Sequence, residues 1–283
     1  MSPRPHLSRF APSGAASCGA GFSDDRVAAV LDDALRHDAG VYAISGLQGT
    51  GKSTLAAQIA ALGRSRGLRV ATLSIDDLYL GRRERLRLAR RVHPLLATRG
   101  PPGTHDVALG CEVLDNLRAG RRVMVPRFDK LADTRPPPSR WSRIDAVDLV
   151  LFEGWFLKTP PQSADALREP INDIERDEDR DGFWRNHCNH ALAHDYPALW
   201  ARLDRLLFLQ PPAFEVVPDW RWQQEMQLQA ARPGSAQSRR AMTRPQLERF
   251  VQVFERVSRQ ALRTLPALAD ITWRLDAQRR PLV

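Results

Sequence analysis

Behind Ser23, Asp24 and Asp25, apolar residues recur at Val27, Val30, Leu31, Ala34 and Leu35, the spacing of one helix face, and the pattern stops near Gly40. The next apolar run, residues 41–45, is short and continuous and predicts a buried strand. A glycine-rich turn follows, then a helical pattern over residues 52–62, closed by Gly67, then a second strand at 70–75. That succession is strand–helix–strand, the unit of a parallel sheet. Apolar runs at 148–152, 206–209 and 271–275 predict three more parallel strands, and residues 123–125 a short sixth. A helix is predicted from Thr243, which forms the capping-box pattern Thr243-x-x-Gln246 and carries a core-facing stripe of Leu247, Phe250, Val251, Phe254 and Val257. Pro136-Pro137-Pro138 and the acidic stretch 175–181 predict surface loops or an insertion. With no internal repeat and no linker, the chain reads as an α/β protein. The expected division is one domain over residues 23–283 behind a flexible tail at 1–22.

A chain of 283 residues is ample for a full core, and 43% hydrophobic against 27% charged residues is the balance of a globular protein. The most apolar stretch, 148–157, contains Glu153 and falls far short of a membrane-spanning helix. Cys18, Cys111 and Cys188 form no C-x-x-C pair, which argues against a disulfide framework or zinc knuckle and predicts a reducing, cytoplasmic setting. Residues 1–21 lack the apolar segment of a secretory signal, while an organelle transit peptide stays open. The net charge of +9 suggests an anionic partner. Yet Lys52, Lys130 and Lys158 are the only lysines, and the arginines are scattered rather than gathered in a stripe, so nucleic acid is not the expected partner.

Gly46-Leu47-Gln48-Gly49-Thr50-Gly51-Lys52-Ser53 changes the picture, being a complete G-x-x-x-x-G-K-[ST] between a predicted strand and a predicted helix. Its glycines let backbone N–H groups curl around phosphate oxygens, and the helix N-terminus adds its positive end. ATP or GTP binding is therefore expected through Gly46, Gln48, Gly49, Thr50, Gly51, Lys52, Ser53 and Thr54. Lys52 is expected to reach the β- and γ-phosphates and Ser53 to ligate Mg²⁺.

What the nucleotide is used for depends on residues at the ends of the other strands. The second strand runs into Ser74-Ile75-Asp76-Asp77-Leu78-Tyr79, where a carboxylate can face the γ-phosphate and take a proton from an acceptor hydroxyl. A helix cap needs only one aspartate, so two adjacent ones allow both roles. The strand at 148–152 ends in Glu153-Gly154-Trp155, a Walker-B arrangement whose acid would support Mg²⁺ or a substrate group. Two further segments, Arg99-Gly100-Pro101-Pro102-Gly103-Thr104-His105-Asp106 and Pro126-Arg127-Phe128-Asp129-Lys130, are dense in groups that bind carboxylates and phosphates. Asp106 is equally placed to cap the helix through Val107, Cys111 and Leu114.

Together the P-loop, SIDDLYLG, RGPPGTHD, PRFDK, LFEGWF and DWRWQQE resemble the D-glycerate 3-kinase family, related to uridine kinase, pantothenate kinase and phosphoribulokinase. The likeness covers about residues 41–276. It implies a three-layer P-loop fold with a parallel sheet in the order 2-3-1-4-5, and transfer of the γ-phosphoryl of ATP to a small carboxylated acceptor such as D-glycerate. It implies Asp76 as base, Glu153 beside Mg²⁺ or substrate, and Arg221 on a lid closing over the phosphates. Asp77, Tyr79, Arg99, His105, Asp106, Asp129 and Lys130 are the implied acceptor-side residues, whereas Asn189, Tyr196 and Trp200 are expected to pack. The chain departs from the plant and fungal pattern where Leu131-Ala132-Asp133-Thr134-Arg135 replaces a glycine-containing segment, where Phe128 replaces a tyrosine, and at Lys158. These positions border the acceptor pocket, so a nucleoside, pantothenate-like or sugar acceptor is the alternative. A nucleotide-binding regulator without turnover is the alternative from another class.

Overall fold

The computed structural model describes residues 21–231 and 242–282. Most of the expected tail lies outside the described residues. Its last residue, Phe22, exchanges backbone hydrogen bonds with the side chain of Gln58, at 3.0 and 2.8 Å.

Five parallel strands form the central sheet: β1 (Val41–Gly46), β2 (Val70–Ser74), β5 (Leu149–Gly154), β6 (Arg205–Gln210) and β7 (Ile271–Arg274). Their order is β2-β5-β1-β6-β7. Numbered within this sheet alone the order is 2-3-1-4-5, and the P-loop strand β1 lies between β5 and β6. The expected sixth strand is corrected: β3 (Val123–Val125) pairs antiparallel with β4 (Ser142–Ile144) in a separate two-stranded sheet.

The three central strands, β5, β1 and β6, are buried on both faces, and alternate residues feed two cores. Tyr42 and Ile44 of β1, with Leu149, Leu151, Leu207 and Leu209, pack against helices α1 (Asp24–Arg36) and α2 (Lys52–Ser65). Val41 and Ala43, with Val150, Phe152, Leu206 and Phe208, face the opposite layer. That layer contains α4 (Val107–Arg118), α6 (Phe183–His194), α7 (Tyr196–Trp200) and α9 (Arg244–Leu268). The result is a three-layer α/β sandwich. The capping box at Thr243 and Gln246 forms as expected, and Leu247, Val251, Phe254 and Val257 of α9 are buried.

In the acidic stretch 175–181 Arg176, Asp177, Glu178, Arg180 and Asp181 are exposed as expected, whereas Glu175 and Asp179 are corrected to buried. The stretch overlaps α5 (Asp173–Glu178), whose Glu175 is fully buried and receives two hydrogen bonds, 2.7 and 2.6 Å, from the buried Arg256 of α9. Asp179 is likewise buried, against Arg185 at 2.9 Å. Burying a carboxylate is tolerable when a guanidinium fork meets it, which sequence periodicity cannot reveal.

Candidate functional site

Three strand ends converge where the sheet order changes direction, the location at which α/β sheets place ligands. At β1, Gly49 and Gly51 of the P-loop take φ of 88° and 90°, conformations that suit glycine. A Cβ on Gly49 would lie 2.7 Å from Trp220, so the loop and the first turns of α8 (Val216–Ala231) are in close contact. Thr50 Oγ1 and Lys52 Nζ both donate to the Leu47 carbonyl, each at 2.9 Å, and these bonds hold the loop in its cradle shape. Burial disfavours the charge on Lys52, and the neighbouring carboxylates of Glu153 and Asp76 oppose that effect. Both polar atoms of the Gln48 amide are buried and without a partner among the described residues.

β5 supplies Glu153, which lies within the strand, level with Ile44 of β1 and Ser74 of β2. Its Oε1 accepts a 3.0 Å hydrogen bond from Ser53 Oγ. Burial pushes the Glu153 carboxyl up, with Lys52 pulling the other way. Two hard oxygen donors, one hydroxyl and one carboxylate, thus meet beside the phosphate cradle. Mg²⁺ is satisfied by one or two protein oxygens when phosphates and water complete its shell.

β2 ends in the 3-10 turn Ile75–Leu78, capped by Ser74. The two aspartates divide the roles that their sequence left open. Asp77 closes the capping box through Ser74 N, at 3.3 Å, and also accepts from Arg127 Nη1 (2.6 Å) and Phe128 N (3.2 Å). Asp76 instead accepts from Tyr79 Oη at 2.6 Å and from Lys130 Nζ at 2.8 Å. Burial alone would raise the Asp76 carboxyl, but the Lys130 charge and the two donors outweigh it and hold it far below the usual carboxylate range.

Around this carboxylate stand the other expected acceptor-side groups. Tyr79 and His105 are joined by an antiparallel β-bridge, and their rings lie 4.8 Å apart. Burial pushes His105 down to about 3, so its imidazole is neutral. Arg99 places its guanidinium over the Phe128 ring and is held by Asp133 at 2.6 Å. Arg221 of α8 senses the Asp76 charge and is hydrogen-bonded to the neutral Gln224, at 2.9 Å.

Three expected acceptor-side residues are placed differently. Asp77 is taken up in the contacts just given. Asp106 caps α4 through Leu109 N (3.1 Å) and receives Arg135 at 2.8 Å. Asp129 is exposed and closes a turn by accepting from Leu131 and Ala132 N–H groups, both at 2.9 Å. Thr54 lies in the first turn of α2. Next to Arg221, Trp220 is buried, donates to the Ala277 carbonyl at 2.9 Å and lies under Arg279, which bonds Gly49 O at 2.8 Å. Arg127 and Asp133 were absent from the expected set. Arg127 belongs to the Pro126–Lys130 segment, but no spacing rule marks a residue that holds a loop by reaching an aspartate fifty positions away.

A P-loop at one strand end, an acid beside its serine at the next and an aspartate facing a cationic pocket at the third define a P-loop kinase. Relatives agree. A kinase of Schizosaccharomyces pombe, described as uncharacterized, is 32% identical over 206 residues, 67% of this chain and 71% of that protein. The chloroplastic D-glycerate 3-kinase of Arabidopsis thaliana is 35% identical over 140 residues, 45% of this chain but 30% of the plant protein. The solved D-glycerate 3-kinase of Cryptococcus neoformans superposes with a TM-score of 0.76 at 25% identity, covering 94% of this chain and 99% of that one. No protein-family model matches. The chain belongs to the D-glycerate 3-kinase family of P-loop kinases.

Proposed function

We propose that this kinase transfers the γ-phosphoryl group of ATP to a hydroxyl of D-glycerate, giving 3-phosphoglycerate. The observation that carries the reading is Asp76: an ionised carboxylate at a strand end, beside Lys52 and Glu153, in a pocket lined by Lys130, Arg99, Arg221 and the neutral His105. Cations in excess of carboxylates suit an acceptor that is itself an anion and a reaction that moves another. The relatives named D-glycerate 3-kinase support that acceptor.

The P-loop amides and Lys52 would bind the β- and γ-phosphates, with Lys52 leaving its Leu47 carbonyl for phosphate oxygen. Ser53 and Glu153 would hold Mg²⁺, which when bound neutralises charge on the phosphates. Asp76 would take the proton of the attacking hydroxyl as the new O–P bond forms and the bond to ADP breaks. Arg221 and Lys130 would meet the charge on the equatorial oxygens, and Arg99 and His105 would orient the acceptor carboxylate.

The test is a panel of acceptors (D-glycerate, L-glycerate, uridine, pantothenate and several sugars) with ATP and Mg²⁺ and coupled ADP detection. D-glycerate is expected to give turnover well above the ATPase background. Turnover with another hydroxyl compound and none with D-glycerate would reassign the acceptor.

A further inference from the structure

The wall of the pocket contains an unusual pair of buried side chains. His105 Nδ1 lies 2.6 Å from the hydroxyl of Tyr196, and that hydroxyl also accepts from Gly103 N at 3.1 Å. Tyr196 is fully buried, so its proton has no water to meet. Among the described residues its hydroxyl has no hydrogen-bond acceptor besides His105 Nδ1. The other ring nitrogen, His105 Nε2, is buried and has no partner among the described residues.

Two proton arrangements are open. If His105 carried its proton on Nδ1, both Tyr196 lone pairs would be filled, the Tyr196 proton would be stranded and Nε2 would be a bare lone pair. Two buried groups would then go unsatisfied, each costing about 1–3 kcal/mol. If Tyr196 donates to Nδ1, the proton of the neutral ring sits on Nε2, and that single N–H is all that remains open. The second arrangement wins by one buried group.

We infer that Tyr196 is a positioning residue that locks His105 in the Nε2–H tautomer, so that His105 presents a donor to an oxygen of the acceptor substrate. Tyr196 therefore does more than pack. The ring lies against that of Tyr79, tilted by 38°, and the Tyr79 hydroxyl is bonded to Asp76, so the open N–H belongs to the wall next to the proposed base. A donor there selects an acceptor oxygen with free lone pairs, a carboxylate above all, and it cannot also remove the hydroxyl proton. Proton removal is left to Asp76. The substrate role rests on the kinase reading above; the tautomer itself does not.

The experiment has two arms so that the two can fail separately. Long-range ¹H–¹⁵N NMR of the substrate-free protein near pH 7.5, with His105 assigned by its loss in His105→Gln, reads the tautomer directly. A protonated Nε2 and an unprotonated Nδ1 are expected; the reverse pattern would overturn the inference whatever the acceptor. In the second arm Tyr196→Phe is assayed with the acceptor that the panel identifies. Its KM for that acceptor should rise about three- to tenfold, the scale of one lost hydrogen bond, with kcat and the KM for ATP within about twofold. An unchanged acceptor KM would overturn the positioning role, as would an equal loss in both substrates' KM values.

Discussion

Lys130 and Asp76 are joined across the pocket by a 2.8 Å ion pair that ties the loop after β3 to the turn after β2. The pair keeps Asp76 ionised and therefore able to receive a proton, but it also makes the carboxylate weakly basic. A phosphate entering the site would compete for the Lys130 ammonium and release Asp76 to act on the acceptor. The division of labour in Asp76-Asp77 follows from this: one aspartate faces the pocket, and the other holds the loop that delivers Lys130.

Asp76→Asn keeps the shape and cannot accept the proton. Its kcat should fall by roughly 10²–10⁴-fold while ATP affinity and Tm stay near those of the wild type. Steady-state kinetics with thermal unfolding checks both, and a kcat within threefold of wild type would assign the base elsewhere.

Asp77→Ala should behave in the opposite sense. Losing the cap and the contacts to Arg127 and Phe128 should lower stability by about 1–3 kcal/mol and raise the acceptor KM by loosening Lys130. Denaturant unfolding and kinetics on the same preparation separate this from a lost base.

Lys130→Met removes the cation that holds Asp76 down and leaves burial unopposed by it, so the carboxyl must titrate at higher pH. The acid-side fall in kcat/KM should therefore move upward in pH relative to wild type, together with a lower plateau. A pH–rate profile between pH 5 and 9 shows the shift; an unmoved acid limb would mean that Asp76 is not the titrating group.

His105 also makes a stability prediction. Its folded value of about 3 lies below the unfolded value of about 6.5. Between these the unfolded chain binds the extra proton, so stability falls as pH drops below about 6.5. From pH 7 to pH 5 this single group should remove about 2 kcal/mol, at roughly 1.4 kcal/mol per unit over the 1.5 units below 6.5. His105→Gln should lack that component, and urea unfolding at the two pH values measures it.

Away from the site, Arg256→Met strands the buried Glu175 and should cost about 3–5 kcal/mol. Kinetics on the fraction that stays folded should be unaffected.

The sequence made the frame legible where local rules apply. Continuous apolar runs marked β1, β2, β5, β6 and β7, and the P-loop marked its own strand and helix, because each signal is contained within a few neighbouring residues. Two features escaped for the same physical reason. The 123–125 run looked like another parallel strand, since a three-residue apolar segment carries no information about its partner, here β4. Within 175–181 Glu175 and Asp179 looked as solvated as their neighbours, since their partners Arg256 and Arg185 are distant or unmarked in sequence. In the site, Asp76, Lys52 and Glu153 stood out by motif. The placement of Asp77, Asp106 and Asp129 could not, because an aspartate in a loop serves equally well as a cap or as a ligand until the donors around it are known.

The most direct test of the central claim is ³¹P NMR of a reaction containing the protein, ATP, Mg²⁺ and D-glycerate. The account predicts a new phosphomonoester resonance matching authentic 3-phosphoglycerate, growing in step with ADP and lost with Asp76→Asn. ADP that forms with only inorganic phosphate beside it, or a phosphomonoester produced equally well by Asp76→Asn, would contradict it.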